Sequence, residues 1–405
     1  MQQTPSAVAP RGRLTWAMFL VGASGSYLLN GMGAILPSVQ DELGATRAEV
    51  GVYPTLFAVG LIVVGLLGDH LIRHVDRPMA LRISVGGTVV GAWLLVVPDR
   101  ATALVGAALL GASTALMITL APVIIAMLHP RRTVAIFGEL QAADSAASVV
   151  APFAVGLAIG LGVGWRSAYL LPTFLLLAVT PLLAGIPRRD RRGSDPGLRT
   201  SPVAPAGHAR KVARWLDILL SVSAEFCMVF WAASAFREWH GASEEVAAAL
   251  AAMFLLGMAM SRAVSTPLTR AVPEAWRLVT GGCLVALAGF IAFWASPSLW
   301  LSALGAVIVG LGMGPQYPVL LPLFVSGYPD APDRAAARGT LASGLAIGGA
   351  PLLLAAVSDR LGLHEAYLIV PMLLAIVALR VAMRREAGPR SDGSPGVAEA
   401  APSIA

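Results

Sequence analysis

The stretch PRRDRRGSDPGLRTSPVAPAGHARKVAR, Pro187 to Arg214, decides how the rest of this 405-residue chain is read. It is basic, rich in proline and glycine, and free of any helical apolar period, which is the composition of a flexible linker. Apolar runs of roughly 20 residues recur on either side of it, each long enough to cross a bilayer core of about 30 Å. Six precede it, at 14–36, 47–68, 79–97, 101–127, 134–161 and 167–186. Six follow it, at 214–236, 244–262, 275–295, 299–325, 338–357 and 365–383. The chain therefore divides into a tail (1–13), a six-helix bundle (14–186), a linker (187–213), a second six-helix bundle (214–384) and a disordered tail (385–405).

Composition agrees. Hydrophobic residues make up 57% and charged residues 13% of the chain, and its mean hydropathy is +0.74. A soluble protein of this length needs far more charge to cover its surface, so the expected class is an all-α integral membrane protein. The first run is too long for a signal-peptide core and reads as the first span. The two cysteines, Cys227 and Cys283, lie inside apolar runs and are expected to pack as small apolar residues, outside any disulfide framework.

The net charge of +6 raises the question of a nucleic-acid partner, and topology removes it. An even number of spans puts both termini on one side. Placing them in the cytoplasm leaves only Arg47, Arg100, Arg166, Arg237 and Arg360 outside, and 24 of the 29 basic residues inside. That asymmetry is the positive-inside bias, and it sets the orientation expected in a cytoplasmic membrane.

The two halves also resemble each other. Ala151-Pro152 answers Ala350-Pro351, 199 positions on, and Ala168-Tyr169-Leu170 answers Ala366-Tyr367-Leu368, 198 on. Glu49-Val50 pairs with Glu245-Val246, and Gly86-Gly87 with Gly281-Gly282, near the same offset. Ordered matches at a nearly fixed spacing argue for two pseudo-symmetric halves.

Six plus six helices, a long basic central loop and cytoplasmic termini resemble the major facilitator superfamily (MFS) of secondary transporters, over roughly Leu14 to Met383. GLLGDHLIRHVDR, Gly65 to Arg77, resembles that family's Gly-x-Leu-x-Asp signature through Gly65, Leu67 and Asp69, with Arg73 and Arg77 supplying the charges. The family's following glycine is missing. GWRSAYL, Gly164 to Leu170, resembles the family's Trp-Arg turn between spans five and six. Two places depart from the pattern. Ala107 and Leu110 stand where span four often carries arginine and glutamine. The fifth-span signature of exchangers survives only as Ala147, Ala151, Pro152, Val155 and Gly156. GLGMGPQYPVLLPL (Gly310 to Leu323), with the spacing of Glu225 and Trp231, is similar to fucose-permease-like members. The resemblance implies alternating access by a monomer, a small organic solute as cargo and protons as the coupling ion.

Individual residues carry the rest. Glu225 lies about ten residues, or about 15 Å, into span seven, where a charge costs about 2.5–3.5 kcal/mol on insertion scales. It reads as a substrate or proton site, or as a structural hydrogen bond to a neighbouring helix. By the resemblance, spans one and seven line a central cavity. Asn30, 195 positions before Glu225, then faces it across the pathway. In span five, Asp144 and Gln141 are cavity candidates, while Glu139, with Arg131 and Arg132 just before it, reads as a gate or interface charge. Gln316 and Tyr317, between Pro315 and Pro318, read equally as solute contacts or as a kink. Trp231 offers a stacking face or ordinary packing. Asp69, Arg73 and Arg77, with Gly65, are candidates for a cytoplasmic latch.

Absences complete the expectation. The only lysine, Lys211, precedes a valine, so there is no phosphate loop to drive transport with ATP. His70 and His74 have the spacing of a metal pair, but nothing completes a site. No catalytic motif, cofactor or metal is implied. The expected activity is proton-coupled symport of a sugar-like or small polar solute. The alternatives are proton-antiport efflux of a drug or secreted metabolite, and a non-transporting membrane sensor.

Overall fold

A computed structural model describes residues 12–74, 76–129, 133–186, 207–264, 272, 274–328 and 332–384. Among these residues twelve helices are long and apolar enough to cross a membrane. The first half contains α1 (Arg13–Leu43), α2 (Arg47–His74), α3 (Arg77–Leu95), α4 (Arg100–Leu128), α5 (Thr133–Gly160) and α6 (Trp165–Val179), with a 3-10 turn at Thr180–Gly185. The second contains α7 (His208–His240), α8 (Glu244–Ala263), α9 (Ala275–Ala295), the broken span α10 (Leu299–Met313) and α11 (Gln316–Val325), α12 (Pro332–Leu361), the short α13 (Leu363–Ala366) and α14 (Ile369–Arg384). Helix α7 begins at His208 and not near 214. The basic residues of HARKVA sustain a helix once they continue an apolar one; 187–206 of the linker lie outside the described residues.

The repeat seen in the sequence recurs as matching geometry. Tyr169 Oη donates to the Leu28 carbonyl of α1 at 3.0 Å, and Tyr367 Oη donates to the Cys227 carbonyl of α7 at 3.4 Å. Each bundle thus ties its sixth span to its first with a tyrosine, 198 positions apart. Helix contacts repeat as well. A Cβ on Gly111 would meet Phe57 backbone atoms at 2.1 Å, and one on Gly310 would meet the Phe254 carbonyl at 2.0 Å. These are backbone-to-backbone approaches that only glycine permits, as close packing in membranes favours. Turns repeat too: Gly44 and Gly241 cap α1 and α7 at φ of 57° and 62°.

The halves meet at the end of the molecule away from the termini. There, α1 crosses α7 at Gly33, where a Cβ would lie 2.0 Å from the Val229 carbonyl. Gly51 faces Ala355 and Leu352 of α12, and Thr55 Oγ1 donates to the Gly348 carbonyl at 2.9 Å. Gly156 of α5 lies against the Glu245 backbone of α8. Charges reinforce this closure: Arg47 pairs with Glu238, Asp41 with Arg237 at 2.6 Å, and the Ser38 hydroxyl donates to Glu244. The start of α2 is capped from both halves. Thr46 and Glu49 satisfy each other's backbone N–H groups, the reciprocal pattern of a capping box. The Arg47 and Ala48 N–H groups instead donate to the Asp359 carboxylate of α12, at 3.1 and 2.9 Å. At the same end Asp99 starts α4, where hydrogen bonds from the Thr102 hydroxyl and N–H hold its carboxyl below the usual range.

Candidate functional site

Helical spacing fixes where Glu225 points. It stands four residues before Val229, whose carbonyl meets Gly33, so it shares the face of α7 that looks toward the first bundle. One turn separates it from the α1–α7 crossing, on the side nearer the termini. Asn30 occupies the matching place on α1, three residues before Gly33. Both groups therefore border the space between the bundles, just inside the closed end.

The Glu225 carboxylate is paired. Arg262, at the end of α8, approaches Glu225 Oε1 with Nη2 at 3.3 Å. Arg262 Nε also donates to the Gly314 carbonyl at 3.4 Å. That carbonyl belongs to the break between α10 and α11, where Pro315 and Pro318 interrupt the backbone ladder. One turn further on, Tyr317 sits within electrostatic reach of Glu225 and Arg262, with its hydroxyl beside that of Ser343 on α12. The cluster holds one cation, one carboxylate, the neighbouring Tyr317 and Ser343 hydroxyls and a buried backbone carbonyl that Pro318 leaves without a helical donor. Glu225 keeps 13% of its side chain accessible and Arg262 35%, so the pair lies at an edge and not in sealed core.

Arg262 is the residue that sequence reading misses. It falls in the last turn of α8, at a span end where the positive-inside expectation already accounts for an arginine. Its partner is 37 residues away, a distance no local pattern encodes.

On the other wall, Asn30 Nδ2 donates to the Ser26 carbonyl at 2.9 Å and to Ser148 Oγ of α5 at 3.0 Å. Ser148 Oγ in turn donates to the Asp144 carbonyl at 2.9 Å. The Asp144 side chain is wedged between α5 and α1: a Cβ on Gly22 would lie 2.6 Å from its Oδ1, which is buried without a hydrogen-bond partner. Gln141 is exposed, one turn toward the terminal end.

Two of the other sequence candidates are bound into the second bundle. Gln316 is 1% exposed; its Oε1 accepts from Ser221 at 2.5 Å and its Nε2 donates to the Gly312 carbonyl at 3.3 Å. Trp231 is fully buried, donating its indole N–H to the Pro351 carbonyl at 3.0 Å, so it presents no open stacking face in this conformation. Glu139 is half-buried on α5. The side chains of Gly65-to-Arg77 charges Asp69, Arg73 and Arg77 lie outside the described set, as do residues Arg131 and Arg132.

A second ionic cluster was not visible in the sequence. Asp217, 1% exposed, accepts from Arg380 Nε at 2.9 Å and is also paired with Arg384. It ties the terminal end of α7 to α14. Among the described residues no group of three or more His, Cys, Asp or Glu is placed to hold a metal ion.

Comparison with known proteins gives this geometry its family. The model of the Major Facilitator Superfamily matches residues 15–239, more than half the chain. The cyanate transport protein CynX of Escherichia coli (strain K12) is 24% identical over 306 residues, covering 75% of this chain and 78% of CynX. Among solved structures, the nucleoside transporter NupG superposes with a TM-score of 0.73 at 11% identity, covering 92% of this chain and 99% of NupG. The MFS transporter FucP in its outward conformation gives 0.61 at 14% identity, covering 92% and 98%, so that likeness is one of fold. Twelve spans in two matching bundles, with a charged pair at the seam between them, belong to a multi-pass membrane transporter of small solutes, and this chain is a member of the major facilitator superfamily.

Proposed function

We propose that this protein moves a small polar solute across the cytoplasmic membrane by alternating access, with a proton carried on Glu225. The observation that carries this reading is the Glu225–Arg262 pair, which borders the space between the bundles one turn inside their closed crossing. Transport by rocking bundles needs a site near the midplane that each side reaches in turn. An ionisable group facing such a space is a functional site by default, because a charge there is costly unless it is used.

Glu225 accepts a proton on one side and gives it up on the other. Asn30 and Ser148 supply neutral hydrogen bonds from the opposite wall, with Asp144 behind them. Glu139, half-buried on α5, is our candidate for a latch charge at the terminal end. Tyr317 contacts the solute from the broken tenth span. Gln316 and Trp231 hold that span and α12 against α7. Both termini lie in the cytoplasm, which puts the five arginines of the closed end outside. CynX, a cyanate transport protein, lends support to a solute of few atoms.

The test uses proteoliposomes under an imposed pH gradient. Glu225→Gln should abolish gradient-driven accumulation while sparing counterflow exchange. Proton dependence unchanged in that variant would remove Glu225 from the coupling step. The direction of flux under the same gradient, measured in inverted vesicles, separates symport from antiport.

A further inference from the structure

Taking Glu225 as the proton carrier, we infer that the solute is a small monovalent anion, that Arg262 is the residue that binds it, and that Glu225 is the group it displaces. The donor set supports this. Arg262 of α8 pairs with Glu225, Tyr317 of α11 lies within electrostatic reach of both, and the Ser343 hydroxyl of α12, which donates to the Gly339 carbonyl at 3.3 Å, lies beside Tyr317. When Glu225 is charged it occupies the guanidinium. When a proton neutralises it, the guanidinium remains as a charged donor with the Tyr317 hydroxyl near it, the arrangement that recognises a carboxylate-like anion.

The pair is built to be exchanged. Its N···O separation of 3.3 Å exceeds the 2.7–2.9 Å usual for a charge-assisted hydrogen bond. By contrast, Asp217 is almost completely enclosed by two arginines at the terminal end of the same helix. One ionic contact on α7 is sealed and the other is open at its edge.

Charge balance then supplies the coupling. The empty site holds Glu225 carboxylate against Arg262, and the loaded site holds neutral Glu225 with the anion against Arg262. Both carry the same net charge. Either half-loaded site differs by one charge: the proton alone removes the Glu225 charge from beside the guanidinium, and the anion alone adds a second negative charge there. Uncompensated charge at membrane depth is disfavoured, so the half-loaded forms do not reorient. The proton enters on Glu225 from one side and leaves to the other with the anion, one for one, and the cycle moves no net charge.

Among the described residues, other charges around α7 do not alter this. Facing Glu225 are Arg262 of α8 and Tyr317 of α11. On α14, Arg380 and Arg384 are held by Asp217. On α1, Asp41 pairs with Arg237 at the far end, and on α12, Asp359 caps α2. Arg338 of α12 stacks on Tyr328 near the terminal end. His364 and Glu365 of α13 lie at the far end, and α10 contains no titratable side chain.

The experiment measures protein-dependent uptake into proteoliposomes of cyanate, lactate and pyruvate, and of the neutral solutes glycerol, xylose and acetamide. An inward proton gradient should drive accumulation of at least one anion. A potassium–valinomycin potential of either sign should leave that rate unchanged. Arg262→Gln should lower saturable anion uptake by about thirtyfold or more, and Arg262→Lys by less. The potential measurement uses the unaltered protein, so it stands even where a variant fails to fold. Glu225-dependent uptake of a neutral solute, indifferent to Arg262→Gln, would overturn the anion assignment and leave the proposed function in place. Anion uptake that follows the potential would overturn the one-to-one charge balance. No gradient-driven flux of either class would overturn the proposed function and this inference together.

Discussion

Replacing Gly33 with alanine should pry open the far end of the transporter. A Cβ at position 33 would lie 2.0 Å from the Val229 carbonyl oxygen and 2.9 Å from the Phe230 Cα, both backbone atoms of α7. Ordinary carbon–oxygen contact needs more than 3 Å, so the two helix axes must separate by roughly 1 Å at this crossing. Neither partner atom is the end of a flexible side chain, and so the strain cannot be absorbed locally. Overpacking of this kind costs about 1–3 kcal/mol. The cost falls on the conformation in which the crossing is closed, and a bias of that size shifts the balance between conformations by about 5–150-fold. Spin labels at Leu161 and Leu361, both exposed at the far end of opposite bundles, would read the change as a longer inter-label distance. The native thiols would interfere little, since Cys227 and Cys283 are buried. A distance distribution identical to that of the parent protein would refute the reasoning: the α1–α7 crossing would then not be a contact that closure depends on.

Three further outcomes follow from particular contacts. Asp359→Ala removes the carboxylate that caps α2 from the other bundle and should cost the closed form about 1 kcal/mol, visible in the same distance measurement as a smaller shift than Gly33→Ala. Tyr169→Phe should lower the thermal unfolding midpoint in detergent more than Tyr367→Phe, because its hydrogen bond is 3.0 Å against 3.4 Å. Asp217→Asn leaves Arg380 and Arg384 without their carboxylate and should destabilise by about 3 kcal/mol, read by the same thermal unfolding, whereas replacing the exposed Gln141 with alanine should change little.

The bundles were legible in the sequence because two independent regularities point to them. Hydropathy marks every span, and residues such as Tyr169 and Tyr367 keep an almost fixed offset through the whole chain. Glu225 was legible for the opposite reason, as a charge that breaks a pattern. What periodicity cannot convey is which long-range partner meets it. Arg262 obeys the local rule for span ends, so nothing in its surroundings sets it apart, and Asp217 with Arg380 and Arg384 shares that property. Gln316 and Trp231 show the converse. Their polar atoms look available in the sequence, but in the fold they are taken up by Ser221, Gly312 and Pro351, which lie on other spans or one turn away.

The shared cap on α2 gives the protein a clock of its own. The first N–H groups of a helix have no partner within it, so protection of Arg47 and Ala48 from exchange with solvent deuterium comes from Asp359 across the seam. Glu49, one residue further on, is sheltered from within its own half by Thr46. Each time the bundles part at that end, the first two amides meet water and the third keeps its local shelter. The ratio of their exchange rates therefore counts openings of that end, with no label attached and no solute identified in advance.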